Sequence, residues 1–176
     1  MTRTRVAVVA VPLILAAARL ASAADPQVIF IVRHAERAPE TPAAADRSMT
    51  APANDPPLSQ AGRERAAKLA SMLRSADIRG IYVTEFQRTR QTAEPLAKAL
   101  GLDAIVTKGN DVDGLMAKMR EAKGNLLIVG HSNTVPDVLK RLGVKDAVTI
   151  ADSEYDNLFV VVKPDGGEPS LIRLRF

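Results

Sequence analysis

The chain has 176 residues, 47% of them hydrophobic and 25% charged, the balance of a globular domain large enough to bury a core without cross-links. It contains no cysteine, which excludes a disulfide framework and any thiolate metal site. The net charge is +4 and only 3% of residues are aromatic, so no basic stripe interleaved with stacking rings exists and nucleic acid is not an expected partner.

Residues 1–23 read as an export signal peptide. Arg3 and Arg5 precede an apolar run over residues 6–18, and Ala21-Ser22-Ala23 is a cleavage site of small residues. The alternative is an uncleaved anchor, but the run is shorter than the ~20 residues of a spanning helix and Arg19 interrupts it. Removing this segment takes away Arg3, Arg5 and Arg19 and leaves 21 basic against 20 acidic side chains. The expected mature product, residues 24–176, is thus a nearly neutral domain, periplasmic or secreted, with no stable membrane insertion.

Val28, Ile29, Phe30, Ile31 and Val32 form a continuous apolar run, which suits a strand covered on both faces. It stops at Arg33 and His34. Ligands of open α/β sheets bind beyond the carboxyl ends of strands, so these two residues are expected at a crevice. Residues 38–57 hold five prolines once Pro39 is counted, which excludes a regular helix and reads as a loop, either a lid over the site or a plain surface loop.

Ser59 has the character of an N-cap, and Ala66, Leu69, Ala70 and Leu73 follow at helical spacing to about Ser75. A short strand is expected over residues 80–84. The next helix carries Ala93, Leu96, Ala97 and Leu100 on one face and ends at Gly101, with Pro95 as its discordant residue. Residues 104–107 read as another strand, 108–111 as a loop, and Val112, Leu115, Met116 and Met119 as a helix face that closes before Gly124.

A second apolar run, Leu126 to Val129, ends at Gly130, His131 and Ser132, so the only two histidines of the chain each follow a buried strand. Val135, Val138, Leu139 and Leu142 mark the helix after it, with Pro136 tolerated in the first turn. The strands at 158–163 and 170–176, joined by Pro164-Asp165-Gly166-Gly167, read as a hairpin. This alternation predicts a three-layer α/β/α domain with a mostly parallel central sheet.

Three segments together resemble the histidine phosphatase superfamily, of phosphoglycerate mutase-like fold. Arg33-His34-Ala35-Glu36-Arg37-Ala38-Pro39 is similar to the RHGxRxP signature of its acid phosphatase branch, with Ala35 where Gly is usual. Thr84-Glu85-Phe86-Gln87-Arg88-Thr89-Arg90-Gln91-Thr92-Ala93 resembles its second motif, in which an Arg stands four positions after a Ser or Thr and before a Thr-Ala. Gly130-His131-Ser132-Asn133 resembles the segment of its second catalytic histidine.

The resemblance implies a metal-independent, cofactor-free phosphatase acting on a phosphorylated small-molecule or envelope substrate. His34 would be the nucleophile, passing through a phosphohistidine, and His131 the protonated partner. Arg33, Arg37 and Arg88 would bind the phosphoryl oxygens with guanidinium forks that keep their charge. A leaving alkoxide also needs an acid. The acid phosphatase branch has an Asp directly after its second His, where this chain has Ser132, so Glu85 is the first choice and Asp111, Asp113 and Glu36 the others. The alternatives are a phosphomutase, which the export signal disfavours, and a non-catalytic phosphate or phosphosugar binder. A metal site on two histidines alone is not expected.

Overall fold

The computed structural model describes residues 26–39, 55–164 and 167–176. The expected signal peptide, most of the proline-rich loop and the middle of the last turn lie outside the described residues. Ten elements follow in order: β1 Gln27–Arg33, α1 Gln60–Leu73, β2 Ile78–Thr84, α2 Gln87–Leu100, β3 Ala104–Thr107, α3 Val112–Met119, β4 Asn125–Gly130, α4 Thr134–Arg141, β5 Asn157–Lys163 and β6 Ser170–Arg175.

The strands form one sheet in the order β3-β2-β4-β1-β5-β6. The pairs β1–β4, β2–β4 and β2–β3 are parallel, while β5 runs antiparallel to both β1 and β6. The sheet is therefore mixed rather than mostly parallel. The closing hairpin makes one antiparallel pair unavoidable, because a short turn can join strands only in opposite directions, and β5 is the strand of that hairpin that pairs with β1.

Period-two alternation assigns each side chain to a face. Ile29, Ile31, Leu126, Ile128, Phe159 and Val161 point to one side, where Leu115 and Met119 of α3 and Val135, Val138 and Leu139 of α4 close over them. Val32, Leu127, Val129, Leu158 and Val160 point to the other, against Leu69 and Leu73 of α1 and Ala93 and Leu96 of α2. The apolar runs that lack polar alternation are those between these two helix layers. Truncating a fully buried member such as Leu127 to Ala should cost about 2–5 kcal/mol.

Local signals bound the helices, at Ser59 and Gly101 as expected and at Asp111 in addition. The Ser59 side chain accepts from the Gly62 amide, and the Asp111 side chain from the Gly114 amide. Gly101 caps α2 with φ of 65°, a left-handed value that Gly adopts without penalty. Gly62 has a different reason: a Cβ there would stand 2.1 Å from the Glu36 carbonyl oxygen, so only glycine lets α1 lie against the segment after β1. Pro95 sits inside α2, which continues through it. Its missing N–H deprives position 91 of the usual helical donor.

Candidate active site

The parallel register sets the site. Arg33 at the end of β1 is the partner of Gly130 at the end of β4, so His34 and His131 leave adjacent strands side by side. The His34 amide donates to the Gly130 carbonyl at 2.9 Å. The two rings are 5.3 Å apart between centroids with planes at 62°, and both are buried. Two imidazoles about 100 residues apart in the chain thus meet edge to face.

The polarity of the His34 ring follows from its neighbour. Its Nδ1 lies 2.8 Å from the Ala35 carbonyl oxygen, which can only accept, so Nδ1 carries the proton and Nε2 the lone pair. Burial, the facing His131 and the charges of Arg88 and Arg33 push the His34 pKa down to about 3, against a raising contribution from the Ala35 bond. Burial, then Arg88 and Arg33, push His131 down to about 4. Both rings are neutral at pH 7, and His34 is held as a nucleophile without further deprotonation.

Two arginines flank the rings, each fixed differently. Arg33 Nη1 donates to the carbonyls of Ala151, Asp152 and Glu154 at 2.9, 2.9 and 3.1 Å, and its guanidinium lies 4.1 Å from the centroid of Tyr155. Arg88, the second residue of α2, donates to Asp55 Oδ1 at 3.3 Å and stacks 4.1 Å from the Phe86 ring centroid. Tyr155 also faces His34 at 6.0 Å, and Phe86 faces His131 at 5.3 Å. Each half of the site is therefore an imidazole and a guanidinium held by one aromatic ring.

Among the described residues, Arg33 Nε and Arg88 Nε are buried with no hydrogen-bond partner. An orphaned buried donor costs about 1–3 kcal/mol, more when charged, and an oxyanion between the two arginines would satisfy both. The N-terminus of α2 adds its positive dipole end next to Arg88. Arg37 is exposed, and its charge contributes to the lowering of the Arg88 pKa, which is due first to burial; Arg37 therefore lies near the same site.

The branch 1 family model of the histidine phosphatase superfamily matches residues 29–109, which carry the first two motifs, and the strand-end histidine pair completes the pattern. Over residues 29–109 the chain matches the histidine phosphatase superfamily. Among solved structures it is similar to the protein histidine phosphatase SixA complexed with tungstate, at 18% identity and a TM-score of 0.63, covering 84% of this chain and 96% of that one. It is also similar to a mycobacterial glucosyl-3-phosphoglycerate phosphatase, at 13% identity and a TM-score of 0.58, covering 83% and 97%. A third, mycobacterial hydrolase 2, has 14% identity and a TM-score of 0.62, covering 83% and 89%. At such identities these likenesses are of fold. No curated protein matches the sequence.

The four candidate acids have different surroundings. Burial alone would raise the Glu36 carboxyl, but hydrogen bonds from Arg65, including 2.6 Å from Nη2 to Oε1, and the Arg65 charge outweigh it and hold it below the usual range. Asp113 pairs with Arg141 on the surface, and Asp111 caps α3. Glu85 Oε2 accepts from the Gly109 amide at 2.7 Å. A Cβ at Gly109 would stand 3.4 Å from that oxygen and 3.5 Å from His131 Nε2, so Glu85 and His131 share a wall.

The structure also gathers residues that sequence reasoning did not select. Asp55, with a side chain only 2% exposed, accepts from the Gln87 amide at 2.8 Å as well as from Arg88, so it caps α2 from a distant segment. Its only signal was a charge amid prolines. Thr92 accepts the Ala35 amide at 2.9 Å and donates to the Arg88 carbonyl, tying the first motif to the second. Tyr155 had no signal beyond being one of two tyrosines.

Proposed function

We propose that this chain is an exported, metal-independent phosphatase that cleaves a phosphomonoester, or another labile phosphate, through a phosphohistidine on His34. The observation that supports it most is the pairing of a His34 Nε2 lone pair with two partnerless guanidinium nitrogens beside it. His34 Nε2 attacks phosphorus, the P–O bond breaks, and its electron pair leaves on the alcohol oxygen. Arg33, Arg88 and Arg37 face the charge that gathers on the equatorial oxygens. Water then attacks the phosphohistidine, releasing phosphate and restoring the ring.

Glu85 is the proposed proton donor to the leaving oxygen. Its Oε2 is taken by the Gly109 amide, which leaves Oε1 for the proton. Residues 1–23 direct the domain to the periplasm or beyond, where a phosphorylated envelope component is a fitting substrate. The test is turnover of p-nitrophenyl phosphate in EDTA by the intact protein and by His34→Ala. Full activity in EDTA and a loss of at least about 10⁴-fold in the variant are expected. Equal rates in the two proteins would end the nucleophile assignment. Glu85→Gln should spare this aryl substrate, whose phenolate leaves unaided, and slow an alkyl phosphate by about 10²-fold or more.

A further inference from the structure

Thr84 and Thr89 form a buried pair beside the second histidine, at 6% and 0% exposure. His131 Nε2 lies 3.0 Å from Thr84 Oγ1, which lies 2.9 Å from Thr89 Oγ1. The proton directions along this chain can be worked out from its far end. Thr89 Oγ1 is 2.8 Å from the Phe86 carbonyl oxygen and 3.1 Å from that of Thr84. Carbonyls only accept, so the single Thr89 hydroxyl proton belongs to them; pointed elsewhere, it would leave oxygen lone pairs facing each other at short range.

Thr89 Oγ1 is then an acceptor toward Thr84, and it accepts the Thr84 amide at 3.1 Å as well. The Thr84 hydroxyl proton goes to Thr89, and the oxygen of Thr84 is left to accept. Its remaining neighbour on this path is His131 Nε2, which must therefore be the protonated nitrogen. His34 has the reverse arrangement, with the proton on Nδ1.

We infer that the hydroxyls of Thr84 and Thr89 hold His131 in the Nε2–H tautomer, opposite to His34, and so make phosphate binding draw one proton onto His131 Nδ1. This rests on the proposed phosphate site between the two rings. With Nε2 committed to Thr84, only Nδ1 of His131 can meet an anionic oxygen. A lone pair there would repel that oxygen, while a proton taken from solvent turns the ring into an imidazolium donor. The charged groups facing His131 are Arg33 from β1 and Arg88 from α2, with Glu85 on the shared wall; the arginines oppose this proton until the phosphate dianion offsets them. Thr84 and Thr89 are positioning residues, since they act through His131.

The chain has only two histidines, so the imidazole ¹⁵N spectrum of the full-length protein holds two ring systems and tests this directly. Above pH 7 and without ligand, one ring should be protonated at Nδ1 (His34) and the other at Nε2 (His131). Titration calorimetry with inorganic phosphate near pH 8, in buffers of different ionisation enthalpy, should give uptake of about one proton per site. In Thr84→Val uptake should fall toward zero as the ring is freed to turn Nδ1–H outward, with kcat/KM down roughly 10- to 100-fold, and Thr84→Ser should restore both.

His131 found as Nδ1–H, or binding by the intact protein without proton uptake, overturns the relay. The wild-type spectrum alone decides the tautomer even if a variant fails to fold. If the tautomers are opposite but phosphate at high concentration shifts neither ring, the phosphate site between them falls while the relay stands. If phosphate shifts both rings and His131 is Nδ1–H, the site stands and the relay falls.

Discussion

The two halves of the site carry the same kinds of group and are built in different ways. In the first, Arg33 and His34 are consecutive in sequence, and the arginine is held by three backbone carbonyls of the 151–154 segment. In the second, His131 follows β4 while Phe86 and Arg88 come from the start of α2, and the arginine is held by a single carboxylate from a further segment, Asp55. Backbone carbonyls are supplied by any sequence that keeps the loop in place. A side-chain anchor can be lost to one substitution. The second half is the one that point changes should disturb selectively.

Among changes that separate the two halves, removing the arginines should give the largest effects. Arg33→Ala and Arg88→Ala should each lower kcat/KM by about 10²- to 10³-fold, because each removes a fixed donor from the charge developing in transfer. They should differ in stability. Arg33→Ala leaves three carbonyls without their donor and should lower Tm by several degrees, while Arg88→Ala should lower it less, since Asp55 keeps the Gln87 amide. Similar Tm losses in the two, measured by calorimetry, would erase the distinction between the halves.

Acid should act on both halves through their histidines. Each ring has a folded-state pKa, about 3 and about 4, below the ordinary value of 6.5. The unfolded chain therefore takes up protons first as pH falls. The stability these neutral rings confer is complete above about pH 6.5 and is lost progressively down to about pH 3. Urea midpoints followed from pH 8 to pH 4 should decline through that window, and less steeply in His34→Gln and His131→Gln. An unchanged slope in both variants would show that the rings are not the titrating groups.

The smallest effect sharpens the comparison most. Asp55→Asn should lower kcat/KM only about tenfold, by loosening Arg88 without removing it, and should cost the remote cap of α2 roughly 1 kcal/mol. Combined with Arg88→Ala it should add little to the kinetic defect, because its kinetic role runs through that arginine. Combined with Arg33→Ala its effect should be undiminished.

Much of the fold was legible because its signals are local. Continuous apolar runs marked the strands that lie between two helix layers, and Ser59 began and Gly101 ended helices at the expected places. The strand at residues 80–84 begins two residues earlier, at Ile78, past an irregular register with β4. The hairpin fixed β5 and β6 as opposite in direction, but which of them runs against β1 was decided by the long-range β1–β5 pairing. Neither the Asp55 anchor nor the Tyr155 clamp had a sequence pattern, since each depends on a contact between distant segments.

The amino-acid sequence by itself determined that two histidines follow two buried strands and that arginines stand beside them, because strand periodicity and local capping act over a few residues. Only the tertiary structure decided how those groups are poised. The parallel register brings the rings 5.3 Å apart, a carbonyl and a hydroxyl pair orient their protons, and the candidate carboxylates divide among a salt bridge, a helix cap and the wall beside His131. Proton position and electrostatic pairing depend on neighbours in space, and in this chain those neighbours lie tens of residues away.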